Sequence, residues 1–158
     1  MKKQQKGFSL IELLIVVAII LIIAAIAIPN LLRSRMAANE ASAVGSLRTI
    51  NTAEVTYKTT YQSVGFGSLA QLSYGGAACT TATSSAACLI DDTLANATAA
   101  PGKSGYTFTL ANGTDTYTVN ADPVKMDSSG TRGFFTDETG VIRYAAGAVA
   151  SNTSTPLQ

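Results

Sequence analysis

Glu12 is the one ionisable side chain between Lys6 and Arg33, and it stands at the head of the only long apolar run. From Leu13 to Ile28 the chain has 16 uninterrupted apolar residues. A carboxylate at mid-bilayer costs roughly 2.5–3.5 kcal/mol on insertion scales, a cost that Leu at the same position would avoid. Buried charges are tolerated when paired, so the chemistry open to Glu12 is charge pairing. Cys79 and Cys88 are the only cysteines, close together in a Ser/Thr/Ala-rich stretch. Outside the cytosol such a pair reads as a disulfide closing a short surface loop. Asp91 and Asp92 offer oxygen ligands of the kind Ca²⁺ takes. Adjacent acids do not match the spaced D-x-[DN]-x-[DN]-G pattern, however, and they read as solvated loop charges. Asp137 and Glu138 suit a hairpin turn. The triplets beginning at Asn96, Asn112 and Asn152 match N-x-[ST], a pattern that arises often by chance in a Thr-rich chain. With no His in the chain, Cys-His and Ser-His nucleophiles are excluded. No catalytic constellation remains, so the chain does not read as an enzyme, and neither a cofactor nor a metal is expected.

The elements that carry these residues divide the chain unevenly. Its 158 residues suffice for one domain plus an extension. Lys and Arg total 11 against 10 Asp and Glu, and five scattered arginines make no DNA groove, so nucleic acid is not expected as a specific ligand. Residues 1–7 (MKKQQKG) are short and basic. The 21 positions from Phe8 to Ile28 reach about 30 Å as a helix, one bilayer core. Positive charges ahead of the span predict a cytoplasmic N-terminus and an exported C-terminus. A secretory signal peptide would need an apolar region of roughly 7–15 residues and a small-residue cleavage site. This run is longer and continues into IPNLLRSRMAANEASAV, a good helix sequence. A plain anchor explains everything here except Glu12.

The segment KGFSLIELLIVVAIILIIAAIAIP resembles the N-terminus of type IV pilins and of their relatives, the pseudopilins of type II secretion. The resemblance extends from Lys6 to about Tyr61 and rests on a short basic leader ending in Gly, then Phe, then Glu five residues into the mature chain; Ser9 stands where the family usually has Thr. It implies that a prepilin peptidase cuts between Gly7 and Phe8 on the cytoplasmic face and N-methylates Phe8. It further implies that Glu12 pairs with the new amine of a neighbouring subunit in a low-dielectric filament core, and that Pro29 loosens the helix there. The implied partners are further copies of this chain in a helical homopolymer, the peptidase/methyltransferase, an inner-membrane assembly platform and separate cytoplasmic ATPases. The implied location is the bacterial inner membrane as a single-pass precursor, then an extracellular pilus. A major pseudopilin is the alternative within the family, and a monomeric membrane-anchored binding domain the alternative outside it.

Proline in a helix interior removes a hydrogen bond and tends to kink the helix, so a kink is expected at Pro29. Beyond it, Val44, Leu47, Ile50, Ala53, Tyr57 and Tyr61 recur at spacings of three and four, one face for packing on a sheet. Arg33, Arg35 and Glu40 precede that stripe and suit either rim contacts between subunits or solvent. Gly65 and Gly67 stop the helix, which is expected over about Phe8 to Gln62. Residues 63–104 read as an irregular connection stapled by the Cys79–Cys88 link. Period-2 alternation (Tyr106, Phe108, Leu110; then Tyr117, Val119, Ala121) flanks the turn signal Asn112-Gly113, and RGFFTDETGVIRY repeats the idea around Asp137–Gly140. The expected fold is α+β: a long N-terminal helix, membrane-spanning in its first half, packed by its second half on a small antiparallel sheet of about four strands. The expected division is a cleaved leader (1–7), a membrane or filament-core segment (8–28), an amphipathic helix (29–62), a connection (63–104), a β-meander (105–145) and a small polar tail (146–158), surface-lying or frayed.

Overall fold

The computed structural model describes residues 8–75, 79 and 81–157. The expected leader, residues 1–7 with Gly7, lies outside them. The chain forms two units that divide after Ser34. Helix α1 (Leu10–Thr60) has Pro29 inside it and remains helical through that position. Its ends fall two residues inside the expected Phe8 and Gln62, within the usual fraying of helix boundaries.

In the first unit the large side chains of α1 from Leu10 to Leu32 are exposed. From Arg35 onward the second unit builds its own core. There α1 buries Glu40, Ala43, Ser46, Leu47, Ile50, Ala53, Glu54 and Tyr57, while Val44 and Tyr61 are half-buried at the edge of that face. This is the expected stripe with two carboxylates added to it.

The sheet has five antiparallel strands in sequence order: β1 (Tyr106–Asn112), β2 (Tyr117–Pro123), β3 (Arg132–Asp137), β4 (Arg143–Ala146) and β5 (Thr155–Pro156). The β1–β2 hairpin turns at Asn112-Gly113, where the Gly113 N–H donates to Thr116 O at 2.9 Å. Tyr106, Phe108, Tyr117, Val119, Ala121 and Phe134 are buried on one face. Asn51 of α1 bridges to that face: it donates to the Thr136 hydroxyl at 2.9 Å and accepts from the Tyr117 hydroxyl at 3.0 Å.

Two expectations need refinement. The last residues lie at the surface, one of the two alternatives expected of them, but they are not frayed. Thr155 and Pro156 pair with Tyr144 and Arg143, and the Leu157 N–H donates to Ile142 O at 2.8 Å. An edge strand leaves backbone groups open, and a proline is tolerated there because its missing N–H can face outward. The connection between helix and sheet is not irregular throughout either. It carries α2 (Leu69–Leu72) and α3 (Asp92–Ala95). Its buried residues Leu69, Leu72, Ile90, Leu94 and Ala97 join the core. Ladder-like bonds hold it, with Ala87 N donating to Gln71 O and Leu89 N to Leu72 O, both at 2.7 Å.

Candidate functional site

Because α1 begins at Leu10, Ser9 occupies the N-cap position and Glu12 the third helical position. The Glu12 carboxylate reaches back to accept the Ser9 backbone N–H at 2.9 Å, while Ser9 O accepts the Leu13 N–H at 3.2 Å. This is half of a capping box, in which a side chain at the third position satisfies the N-cap amide. A negative charge in the first turn also complements the helix dipole, worth about 0.3–1 kcal/mol at an exposed site. The spacing Ser9-x-x-Glu12 carries that signal in the sequence. Glu12 thus has a role within a single chain that does not depend on any neighbour. Phe8, one residue before the cap, is 76% exposed.

Downstream, α1 is long and apolar enough to cross a membrane. The first-unit side chains of Leu10, Leu13, Leu14 and Val17 share one exposed patch. Apolar surface of this extent, left open by a chain of this size, requires lipid or protein to cover it.

Cys79 and Cys88 are joined in a disulfide with Cα atoms 6.0 Å apart, as their spacing suggests. Asp91 is not a free loop charge: it caps α3, its carboxylate accepting the Leu94 N–H at 2.6 Å, and Lys103 lies 3.2 Å from its other oxygen. Burial alone would raise its pKa, but the Leu94 amide and Lys103 hold the carboxyl below its ordinary value. Asp137 serves its turn as expected, accepting from the Thr139 amide at 3.1 Å and from the Thr139 hydroxyl. Glu40 corrects the expectation of a rim or solvated charge. It is 6% exposed, accepts from the Thr131 amide and hydroxyl at 2.8 Å each, and pairs with Arg132 at 2.7 Å. Nothing in its local sequence distinguishes it from a surface glutamate, because its partners come from Thr131 and Arg132, at the entry to β3. Among the described residues no group of three His, Cys, Asp or Glu lies together.

The family described as the prokaryotic N-terminal methylation motif matches residues 2–28. The chain is 63% identical over 38 residues to the type IV wide pilus major component PilA4 of Thermus thermophilus, covering 24% of this chain and 29% of that protein. It is 44% identical over 54 residues to the type IV major pilin protein PilA of Myxococcus xanthus, covering 34% of this chain and 24% of the relative. The match therefore spans less than a third of either relative. No solved structure matches significantly. Residues 2–28 thus match the prokaryotic N-terminal methylation motif, and over part of its length this chain is similar to major type IV pilins.

Proposed function

We propose that this chain is the precursor of a type IV pilin, a structural subunit and not an enzyme. The observation that carries the reading is the methylation segment at residues 2–28, which leads into an apolar helix whose side chains the chain itself leaves exposed. In this reading residues 1–7 are a leader, and a prepilin peptidase cuts between Gly7 and Phe8 and methylates the Phe8 amine. The segment 8–28 waits as a single span in the inner membrane with its N-terminus cytoplasmic, then moves into the core of an extracellular fibre. Assembly there uses an inner-membrane platform and separate ATPases, and Pro29 lets the helix loosen as subunits pack. Glu12, held by the Ser9 amide in the single chain, pairs with the Phe8 ammonium of a neighbour in the fibre, where low polarity strengthens the attraction.

Mass spectrometry of the native N-terminus tests the reading. The expected species begins at Phe8 and carries one added methyl group. A native chain that begins at Met1, or beyond Ala27, overturns it.

A further inference from the structure

Glu54 has the least exposed carboxyl among the described residues, with 0% of its surface accessible. It lies on the buried face of α1 beneath residues 64–67. Its Oε2 accepts the Gly67 backbone N–H at 2.9 Å, and its Oε1 is buried with no hydrogen-bond partner. Among the described residues no Lys or Arg lies within ion-pair distance of it.

The segment above Glu54 is held from both sides. Toward α1, a Cβ on Gly67 would come within 3.2 Å of the Tyr57 ring. Toward the hairpin, Phe66 donates its N–H to Gly113 O at 3.1 Å, and Asn112 donates to Phe66 O at 2.9 Å. Gly65, at φ +90°, approaches Thr114 so closely that a Cβ would sit 2.6 Å from its Cα. The Gly67–Glu54 bond is therefore the polar tie between α1 and a loop that itself grips the tip of the β1–β2 hairpin.

The ionisable groups around Glu54 come from three directions. On α1, the Tyr57 hydroxyl donates to Ser84 O. Lys58 turns outward to Asp115 at 3.3 Å and lies 4.4 Å from the centre of the Phe66 ring. From β2, the Tyr117 hydroxyl donates to Asn51. Asp137 and Glu138, at the β3–β4 turn, act on Tyr117 in the same direction as Glu54. Residues 64–67 and α2 contribute no ionisable side chain.

We propose that Glu54 is a proton-operated latch: its neutral carboxyl keeps residues 64–67 closed over α1, and loss of the proton frees them together with the hairpin tip at 113–116. The energetic reason is the unpartnered Oε1. A neutral buried oxygen without a partner is tolerable, whereas a buried anion with only one donor is costly and is relieved by local opening to water. Burial accordingly raises the Glu54 pKa from 4.5 to about 7, the Gly67 amide opposing this only in part. The open form therefore gains population as pH rises from the ordinary carboxyl range to about 7. This proposal does not depend on the pilin reading.

The test is amide hydrogen exchange of the full chain in detergent micelles between pH 5 and pH 8, each rate normalised to its intrinsic value at that pH. Protection of Phe66 and Gly67 is expected to fall on the order of fifty-fold across that range. It should remain insensitive to low urea, as local openings are, while the Val119 amide of the central sheet shows the urea dependence of global unfolding. In Glu54→Gln, which keeps the acceptor but cannot ionise, protection should stay high at every pH. Constant protection in the natural chain, the same pH slope in Glu54→Gln, or Gly67 sharing the urea dependence of Val119 would each overturn the latch. The first and last of these are read on the natural chain alone and decide the matter even should the variant not fold.

Discussion

Glu40 and Glu54 occupy the same buried face of α1, yet their surroundings drive their titrations apart. Around Glu40, burial alone would raise the pKa, but the Thr131 amide and hydroxyl and the Arg132 guanidinium outweigh it and hold the carboxyl below its usual 4.5. Its contribution to stability is therefore complete above the ordinary carboxyl range and is lost as pH falls through and below that range. Glu54, raised to about 7, acts with the opposite sign: its neutral form favours the fold, and roughly 3 kcal/mol is lost as pH climbs from 4.5 to 7. Glu40→Gln removes the charge that Arg132 meets at 2.7 Å. Because the Arg132 side chain is 35% exposed and can rehydrate, the expected loss at pH 7 is about 2 kcal/mol, in the range for hydrogen bonds to charged groups. Urea unfolding of the full chain in micelles at pH 7 and at pH 3.5 should show the gap between variant and natural chain narrowing in acid. An equal gap at both values would mean that shape, not the carboxylate charge, holds β3 to α1.

At the scale of elements, the connection between α1 and the sheet depends on both covalent and non-covalent ties. Closing a loop with a sequence separation of nine should contribute about 2–3 kcal/mol in the chain-entropy model. For a unit of this size, loss of that contribution lowers Tm by about 10 °C. Reduction should therefore produce a clear Tm drop, and two alkylatable thiols in the unreduced, denatured chain would refute the bridge. Native secondary structure should survive, because α2 and α3 have their own caps: Ser68 and Gln71 form a complete capping box, and Asp91 caps α3. Legibility in the sequence follows the same division between local and long-range signals. The helix face, the Asn112-Gly113 hairpin and the Cys79–Cys88 staple are each specified by residues within a few positions of one another, and each could be read directly. The four-residue helices lie below the length at which periodicity shows, though Ser68-x-x-Gln71 and Ser9-x-x-Glu12 were present as capping signals. Strand β5, two residues long and containing Pro156, exists only because β4 offers an open edge. Glu40 reads in the sequence as a rim or solvated charge and Glu54 carries no local signal, because their partners lie elsewhere along the chain, 91 residues away at Thr131 and 13 away at Gly67.

For the whole molecule, the two units stand in different energetic positions. The unit from Arg35 onward closes a core around Leu47, Ile50, Tyr57, Phe108 and Phe134, each with no accessible surface. Among its described residues, the unit up to Ser34 buries none of its large apolar side chains, Leu10 being 79% exposed. In the proposed function the first unit meets a bilayer and then further copies of the chain, and Glu12 is where these demands conflict. Under that proposal its carboxylate is a burden in lipid and gains a cationic partner in a fibre, whereas in the single chain it caps the helix through Ser9. Two substitutions separate these roles. Glu12→Leu removes both the cap and the charge, so it should improve membrane insertion, leave cleavage after Gly7 intact and sharply reduce fibre yield. Glu12→Gln keeps an oxygen that can accept the Ser9 N–H but carries no charge, so the cap survives while pairing with a Phe8 ammonium does not. If fibre growth depends on pairing between subunits, Glu12→Gln should fail nearly as badly as Glu12→Leu, with processed subunit accumulating in the membrane. The measurement is the ratio of subunit in sheared fibres to subunit in membranes for the three chains, side by side. Fibres restored by Glu12→Gln would show that capping the helix is enough, and that the pairing argument is wrong.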